Sequence, residues 1–259
     1  MALQTEIWIN AVIERLFADN TFAARSIDHS QFVNNLTVHV PNAGAPSGVV
    51  IGRSTFPAPI GTRADVDLTY SMKEFTTDPI RLPHADQVEL SYDKRESIIR
   101  QDRSNLAEKV HEYVLGEWIT SAPALTPGTT EAKTILAAKK QFDKDDIPQE
   151  GRCLILDADT YNKLLDEPSD VQASNFLAGA DPVRGVVAKY YGFDIYMRSK
   201  LDGTQKGLFW HENSVSRALG ETTMFEDEKD PSYYGDILSF LVRAGGAVIR
   251  QDTKGVLKY

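Results

Sequence analysis

The chain has few of the residues that cross-link a fold or hold a metal ion. Its 259 residues include one cysteine, Cys153, which excludes an intrachain disulfide and a cysteine metal cluster. Cys153 lies within an apolar run, where a thiol is typically buried and unreactive. The histidines lie in five separate segments without ligand spacing, so we predict no metal site and no cofactor. They are His29, His39, His84, His111 and His211.

Long basic stretches and long apolar stretches are also missing. The net charge is −9 and no dense block of Lys or Arg occurs, whereas a protein that binds nucleic acid tightly normally has a basic face or tail. No run approaches the roughly 18 apolar residues that a membrane helix needs. Residues 1–17 also lack the basic and apolar segments of a signal peptide. We therefore expect a protein with no membrane partner that stays in the cytoplasm.

The sequence motifs of nucleotide-binding loops and serine hydrolases are absent as well. There is no glycine-rich phosphate loop and no serine-hydrolase elbow. The string LILDADTY (154–161) is enzyme-like, because Asp157 and Asp159 resemble the nucleophile and the acid/base of haloacid-dehalogenase phosphatases. Tyr161, however, stands where that family has Thr or Val. The pattern favours an aspartate that caps a helix N-terminus, and we predict no catalytic residue and no enzyme.

A long loop is the most informative feature that is present. Two strand-like runs, LTVHV (36–40) and ADVDLTY (64–70), enclose a segment with four prolines and four glycines between Pro41 and Gly61. Prolines and glycines at this density exclude a helix and interrupt strands. The segment nevertheless contains more large apolar residues than a disordered linker would. We predict an extended two-stranded loop whose apolar side chains are covered by a neighbouring copy. Those residues are Val49, Val50, Ile51, Phe56 and Ile60.

A long helix with an unusual polar middle is predicted over residues 93–118. Asp93 and Glu96 form a candidate capping box at its start. The apolar stripe at both ends is interrupted by RQDRSN (100–105), which is polar all round. A helix buried in one core does not have such a segment. We therefore expect residues 100–105 to face solvent or another copy of the chain.

The remaining segments indicate a mixed α and β architecture. Residues 4–18 have near-helical apolar spacing and are expected to form an arm. Residues 129–235 alternate between helical and strand patterns, with GRCLILD (151–157) as a central strand. The end returns to β structure, where we expect a hairpin with its turn at Gly245-Gly246. These strands could pair with residues 64–70, which would make 129–235 an insertion into a discontinuous layer.

The order of these parts resembles one known fold. An arm, a long two-stranded loop, a long helix, an α/β insertion and a β return follow one another as in the HK97-like major capsid protein of tailed bacteriophages. The strings TTDPIRLPHADQVELSYDKRES, GRCLILDADTYNKLL and GFDIYMRSKL are also similar to phage capsid sequences. The resemblance implies an α+β fold with an N-terminal arm (1–35), an E-loop (36–66), a P-domain (67–126 and 236–259, with a spine helix at about 93–118) and an A-domain (127–235).

The resemblance also implies a function. Copies would assemble into hexamers and pentamers of an icosahedral shell around a double-stranded DNA genome, which an acidic subunit can enclose without adhering to it. The partners would be further copies, a portal protein and scaffold or decoration proteins, with non-specific proximity to packaged DNA. The location would be the virion capsid, assembled in the cytoplasm of a bacterial host. An encapsulin-like nanocompartment shell and an Asp-dependent phosphatase are the alternatives.

Contacts between subunits are expected from the arm, the loop and the long helix. Some members of the capsid family are cross-linked through an E-loop Lys and a partner Asn. Residues 36–65 contain no Lys, so we expect no such cross-link. Because a helix is predicted almost from Met1, we expect a separate scaffold protein or none. The expected contact residues are Ile7, Phe17, Val50, Arg53, Phe56, Arg63, Arg100 and Arg103.

Overall fold

The structure is a computed structural model. It describes residues 20–41, 49–58, 67–83, 94–166, 179–201, 204–230, 234–250 and 252–259, together with the single residues 13, 18, 60 and 232. Apart from residues 13 and 18, the predicted arm helix over 4–18 therefore lies outside the described residues, as do the capping residue Asp93 and the histidine His84.

Helices and three β-sheets make up the described part of the chain, which confirms the predicted α+β class. The helices are α1 (Lys94–Ser121), α2 (Glu131–Lys144) and α3 (Ala158–Leu165). The strands are β1 (Ile27–Asp28), β2 (Val33–Asn34), β3 (Thr37–Val40), β4 (Leu68–Ser71), β5 (Lys73–Thr76), β6 (Ile80–Pro83), β7 (Arg152–Asp157), β8 (Ala188–Tyr190), β9 (Phe193–Arg198), β10 (Gly207–His211), β11 (Val215–Asp230), β12 (Gly235–Val248) and β13 (Val256–Lys258).

One sheet, in the order β13-β10-β7-β9-β8, is buried on both faces. Its central strand β7 was predicted from the apolar run 151–157. Cys153 and Ile155 contribute to the core that contains α1, whereas Leu154 and Leu156 contribute to the core that contains α2 and α3. A strand covered on both faces has apolar residues at consecutive positions instead of alternating ones. That is the reason why this strand could be predicted from the sequence.

A second sheet is built on the long antiparallel pair β11–β12. The expected hairpin turn at Gly245-Gly246 is wrong, because β12 continues through both glycines, which pair with Ala218 and Arg217 of β11. The glycines serve close packing. A Cβ at Gly246 would lie 2.8 Å from Cγ1 of Val114 in α1. The missing side chains let α1 and the neighbouring strands approach β12 closely.

The partner strands of β12 also differ from the expectation. The sequence allowed residues 64–70 to pair with the C-terminal strands, but β4 (Leu68–Ser71) pairs with β3 in a third sheet, β2-β3-β4. The strands that follow, β5 and β6, pair with β12 instead. The chain therefore crosses from the loop into the main sheet directly after Ser71.

Helix α1 lies against β12 with one apolar face. Ile99, Leu106, Val110, Val114 and Trp118 recur at helical spacing and are buried. The Nε1–H of the Trp118 indole donates to the backbone oxygen of Ser216 over 2.9 Å, which fixes the helix on the sheet. In the polar middle, residues 100, 101, 104 and 105 are exposed and residues 102 and 103 are half-buried. This confirms that the polar middle does not face a core.

No helix in the described part of the chain combines the length and the apolar character of a membrane span.

Candidate inter-subunit surfaces

The loop between β3 and β4 rises from a well-packed base. Val38 of β3 is opposite Tyr70 of β4, and the backbone N–H of Met72 donates to the oxygen of Leu36 over 2.8 Å. Val38 and Met72 are buried together with Ala218 of β11 in a small core. The base is therefore attached to the main sheet, and it holds both ends of the loop in a fixed position.

The loop itself exposes its apolar side chains. The exposed fractions are 91% for Val49, 97% for Ile51, 76% for Phe56 and 96% for Ile60. Burying a side chain of this size is worth about 1.5–3 kcal/mol, and the subunit on its own does not gain it. Large exposed apolar patches are typical of interaction surfaces, so the loop is a candidate contact surface. The described residues 49–58 form no strand, so the observed two-stranded part of the loop is its base, β3–β4.

A groove of about 950 Å³ separates α1 from β5 and the segment that follows it. Its apolar floor includes Phe75 and Tyr113, whose rings meet edge to face at 5.5 Å between centroids. Burial, with the hydrogen-bonded Glu117 beside it, raises the pKa of Tyr113 to about 12, so its hydroxyl is protonated at neutral pH. The groove is therefore an open, mixed apolar and polar surface next to the loop base.

The segment before β1 is attached to the body by aromatic packing and hydrogen bonds. Phe22 meets the rings of Trp118 and Trp210 edge to face. The Nε1–H of Trp210 donates to the oxygen of Arg25 over 2.8 Å, and Nη1 of Arg217 donates to the backbone oxygens of residues 23 and 26. Residues 22–26 are thus fixed to the body of the subunit.

The expected contact residues fall into two described groups and one that is not described. Val50, Arg53 and Phe56 lie on the loop, where Val50 is 59% exposed. Arg100 is exposed and Arg103 is half-buried in the polar middle of α1. The loop and the helix are separate elements of one subunit, and the role of these residues in contacts stays a prediction. Ile7, Phe17 and Arg63 lie outside the described residues.

Further exposed apolar side chains were missed in the sequence. They lie on α3, in the short 3-10 turn before β8, around β9 and near the end of the β11–β12 hairpin. At these positions a strand or helix pattern can assign an apolar residue to either face. Only their exposure in the folded subunit distinguishes them from core residues. They are Leu165, Val183, Tyr191, Met197, Phe225 and Tyr234.

The enzyme-like string forms a structural cap. The Asp157 carboxylate is the N-cap of α3 and accepts a hydrogen bond from the backbone N–H of Thr160 over 3.2 Å. The cap interpretation of Asp157 is therefore confirmed. Cys153 is buried, and burial raises the pKa of its thiol, which keeps it protonated and unreactive. Among the described residues, no group of three or more His, Cys, Asp or Glu side chains is placed to hold a metal ion.

Replacing Asp157 by alanine should cost about 1 kcal/mol of stability, because the first turn of α3 loses its side-chain acceptor. Asp157→Asn keeps an acceptor and should keep most of the stability. Chemical denaturation of the three proteins measures the difference. A magnesium-dependent phosphatase activity that Asp157→Asn abolishes would contradict the structural role.

Two hydrogen bonds fix the tautomer of the His211 ring. Its Nδ1 accepts from the backbone N–H of Asn213 over 3.1 Å, so the proton lies on Nε2, which is 2.9 Å from the backbone oxygen of Glu150. Burial lowers the pKa of His211, because a charged imidazole would lose its hydration. Burial also lowers the pKa of His29, against the opposing effect of Asp28.

These histidines predict a loss of stability in mild acid. Because their folded pKa values lie below the unfolded value of about 6.5, the unfolded chain binds more protons below that pH. Their contribution is complete above pH 6.5 and is lost as the pH falls through the folded pKa. The thermal midpoint should fall between pH 7.5 and pH 5, and His211→Gln should weaken this dependence. A dependence unchanged in the His211 variant would contradict the assignment.

Solved structures from bacteriophages and of a virus-like particle have a similar architecture. The structure matches one from Mycobacterium phage Che8 with a TM-score of 0.71 at 17% identity, covering 92% of this chain and 90% of that chain. It matches the capsid structure of cyanophage P-SCSP1u with a TM-score of 0.67 at 16% identity, covering 90% and 85%. The chain has the HK97-like fold. A virus-like particle from Pyrococcus furiosus matches this HK97-like chain with a TM-score of 0.62 at 12% identity, covering 98% of both.

The similarity to these structures lies in the fold and not in the amino-acid sequence. No protein-family model and no curated protein matches the sequence. At identities of 12–17%, few side chains are shared even where the backbone follows the same path. The HK97-like fold thus confirms the resemblance that the order of the parts predicted.

Proposed function

We propose that this chain is the major capsid protein of a tailed double-stranded DNA bacteriophage. Its copies form the hexamers and pentamers of an icosahedral shell that encloses the genome. The observation that supports this most is the combination of the HK97-like fold with a loop that exposes Val49, Ile51, Phe56 and Ile60. A repeated, self-complementary set of contacts can cover these residues in a closed assembly.

The proposed division of the subunit follows the sequence except at β11 and at β13 (Val256–Lys258), which pairs with β10 in the sheet of β7 and so belongs with the A-domain. The arm is 1–35, the E-loop is 36–66 and the P-domain contains α1 with β12. The long strand β11 (Val215–Asp230) lies within the range that the sequence assigned to the A-domain, yet it pairs with β12 along most of its length. We therefore place β11 in the P-domain and end the main segment of the A-domain before Val215.

The role is structural, and the partners are further copies of the chain. A portal protein, scaffold or decoration proteins and nearby packaged DNA belong to the same proposal, with assembly in the cytoplasm of a bacterial host. The net charge of −9 supports a shell that contains DNA without binding it tightly.

The encapsulin-like nanocompartment is the second candidate, because the particle from Pyrococcus furiosus matches over 98% of both chains. The contents of particles separate the two. Particles purified from their natural source should contain phage-length DNA if the first proposal holds. A protein cargo in place of DNA would favour the nanocompartment.

Expression of the chain alone tests the structural role. Sedimentation should show assemblies far larger than a single 28.8 kDa subunit. A protein that stays monomeric at all concentrations and salt conditions would contradict the proposal.

A further inference from the structure

Acidic side chains surround the groove between α1 and the β5–β6 segment. Glu74 is paired with Arg243 over 2.8 Å, and Glu112 is paired with Lys109 over 2.8 Å. Asp78 and Asp102, in contrast, form no ion pair with any described residue. The walls of the groove therefore keep negative charge that the described part of the subunit does not neutralise.

The floor of the same groove is apolar. Leu106 is buried, and Phe75 and Tyr113 close the floor with their ring contact. Asp102 is half-buried above this floor, and burial raises the pKa of its carboxyl. A cation placed beside Asp102 would offset this cost of burial. The groove suits a segment that brings apolar side chains together with a guanidinium group, which pairs readily with carboxylates.

The exposed loop has this complementary chemistry. From residue 29 to residue 64 the chain has no Asp or Glu, although 37 of its 259 residues are acidic. At the average composition, a stretch of that length would contain about five. The fixed charges of this stretch are those of Arg53 and Arg63. Around Arg53 lie the exposed side chains of Val50, Ile51 and Phe56.

The described residues of the loop do not fill the groove of their own subunit, since Ile51 and Ile60 are almost fully exposed. Its length allows it to reach further. Half of the segment between Val40 and Leu68 would span about 40 Å if extended. That is the diameter of a domain of this size, which brings the groove of an adjacent copy within range.

We propose that the acidic groove of one copy binds the loop of a second copy, with Arg53 as the recognising cation and Asp102 as its main partner. This proposal rests on the proposed shell function and adds the chemistry of one contact. Apolar side chains of the loop cover the floor, and the arginine supplies the charge that the walls lack. The charged part of the contact weakens as salt screens it.

Charge reversal tests the pairing. At low salt, Arg53→Glu should raise the protein concentration needed for assembly by about 10-fold or more, and Asp102→Arg should do the same. Combining both should return the concentration to within about 3-fold of the unmodified protein. Lys140→Glu changes the net charge as Arg53→Glu does, at an exposed site on α2, and should have no such effect.

The outcomes separate this contact from the shell function. Assembly of Arg53→Glu at the concentration of the unmodified protein would overturn the contact and leave the shell function intact. Loss of assembly without recovery in the combined variant would overturn Asp102 as the partner. An unmodified protein that never assembles would overturn the shell function and the contact with it.

A cysteine pair tests proximity while Arg53 and Asp102 stay in place. Ser54 and Asn105 are exposed neighbours of these two residues, and the natural Cys153 is buried. Oxidised particles of Ser54→Cys/Asn105→Cys should give a ladder of linked subunits in denaturing gels without reductant, and each single variant should not. A monomer band from assembled particles of the double variant would overturn the proposal.

Discussion

A subunit that lacks residues 43–60 is expected to fold and to remain unassembled. The deleted segment contributes no described residue to the three hydrophobic cores, while it removes the exposed Val49, Ile51 and Phe56. If two such side chains each contribute about 1.5 kcal/mol at a contact, their loss raises the concentration needed for assembly more than about 100-fold. Circular dichroism and thermal unfolding report the fold, and sedimentation reports the assembly.

A matched control separates loop chemistry from loop length. Ile51→Ser/Phe56→Ser keeps the length and the arginine and removes two exposed apolar side chains. It should also assemble poorly and unfold at the same temperature as the unmodified subunit. If the deleted protein unfolds instead, the loop belongs to the core of its own subunit and the interpretation of its exposure is wrong.

The second large effect is expected inside the subunit, at Arg152. Its side chain is 2% exposed at the start of β7. Nε donates to the oxygen of Pro148 over 2.9 Å, Nη2 donates to the oxygen of Ile147 over 2.5 Å, and Nη1 pairs with Asp143 over 2.8 Å. The guanidinium also lies over the ring of Phe142. One side chain thus joins the end of α2 to the central sheet.

Arg152→Ala should lower the free energy of unfolding by about 3 kcal/mol. The substitution leaves a cavity and two carbonyl oxygens without their donor, and each such loss costs about 1–3 kcal/mol. For a chain of this length that corresponds to roughly 6–12 °C in the thermal midpoint. Arg152→Lys retains the charge but cannot reproduce the fork of donors, and should recover only part of the loss.

Asp143 provides the contrast. Its carboxylate is 39% exposed, and hydrogen bonds from Lys139 and Arg152 lower its pKa. Because water can replace these partners, Asp143→Asn should cost much less than Arg152→Ala. Equal losses from the two substitutions would show that the ion pair, and not the buried carbonyl bonds, stabilises this corner.

Local patterns in the sequence predicted those helices and strands for which the distribution of apolar and polar residues alone shows which faces are buried. The consecutive apolar residues of β7 can only lie between two covered faces, and the polar middle of α1 can only lie outside a core. The aspartate before α3 was predicted as a cap for the same reason, since a free helix N-terminus requires acceptors close in sequence.

Features that depend on distant contacts could not be predicted in this way. The pair Gly245-Gly246 has the composition of a turn, and only the proximity of Val114 and Met72 shows that it serves close packing. In the sequence, Arg152 is a charged residue at the start of a strand, where exposure would be expected. Its burial depends on the path of the chain after α2. The acidic walls of the groove come from two segments that meet only after folding.

The sequence predicts which segment forms a contact surface, but it does not predict which residues that segment contacts. The composition of the loop predicts that it meets another copy, but the groove that we propose as its binding site is formed by α1 and β5, which lie in other parts of the sequence. An assembly joins surfaces that no single sequence window contains.

Electron cryo-microscopy of the purified, assembled protein tests the central claim most directly. The shell account predicts closed particles whose reconstruction places the same chain around fivefold axes and in hexamers, with the loop of each copy on its neighbour. Monomers alone at every concentration and salt condition, or particles in which residues 49–60 contact no other copy, would contradict it.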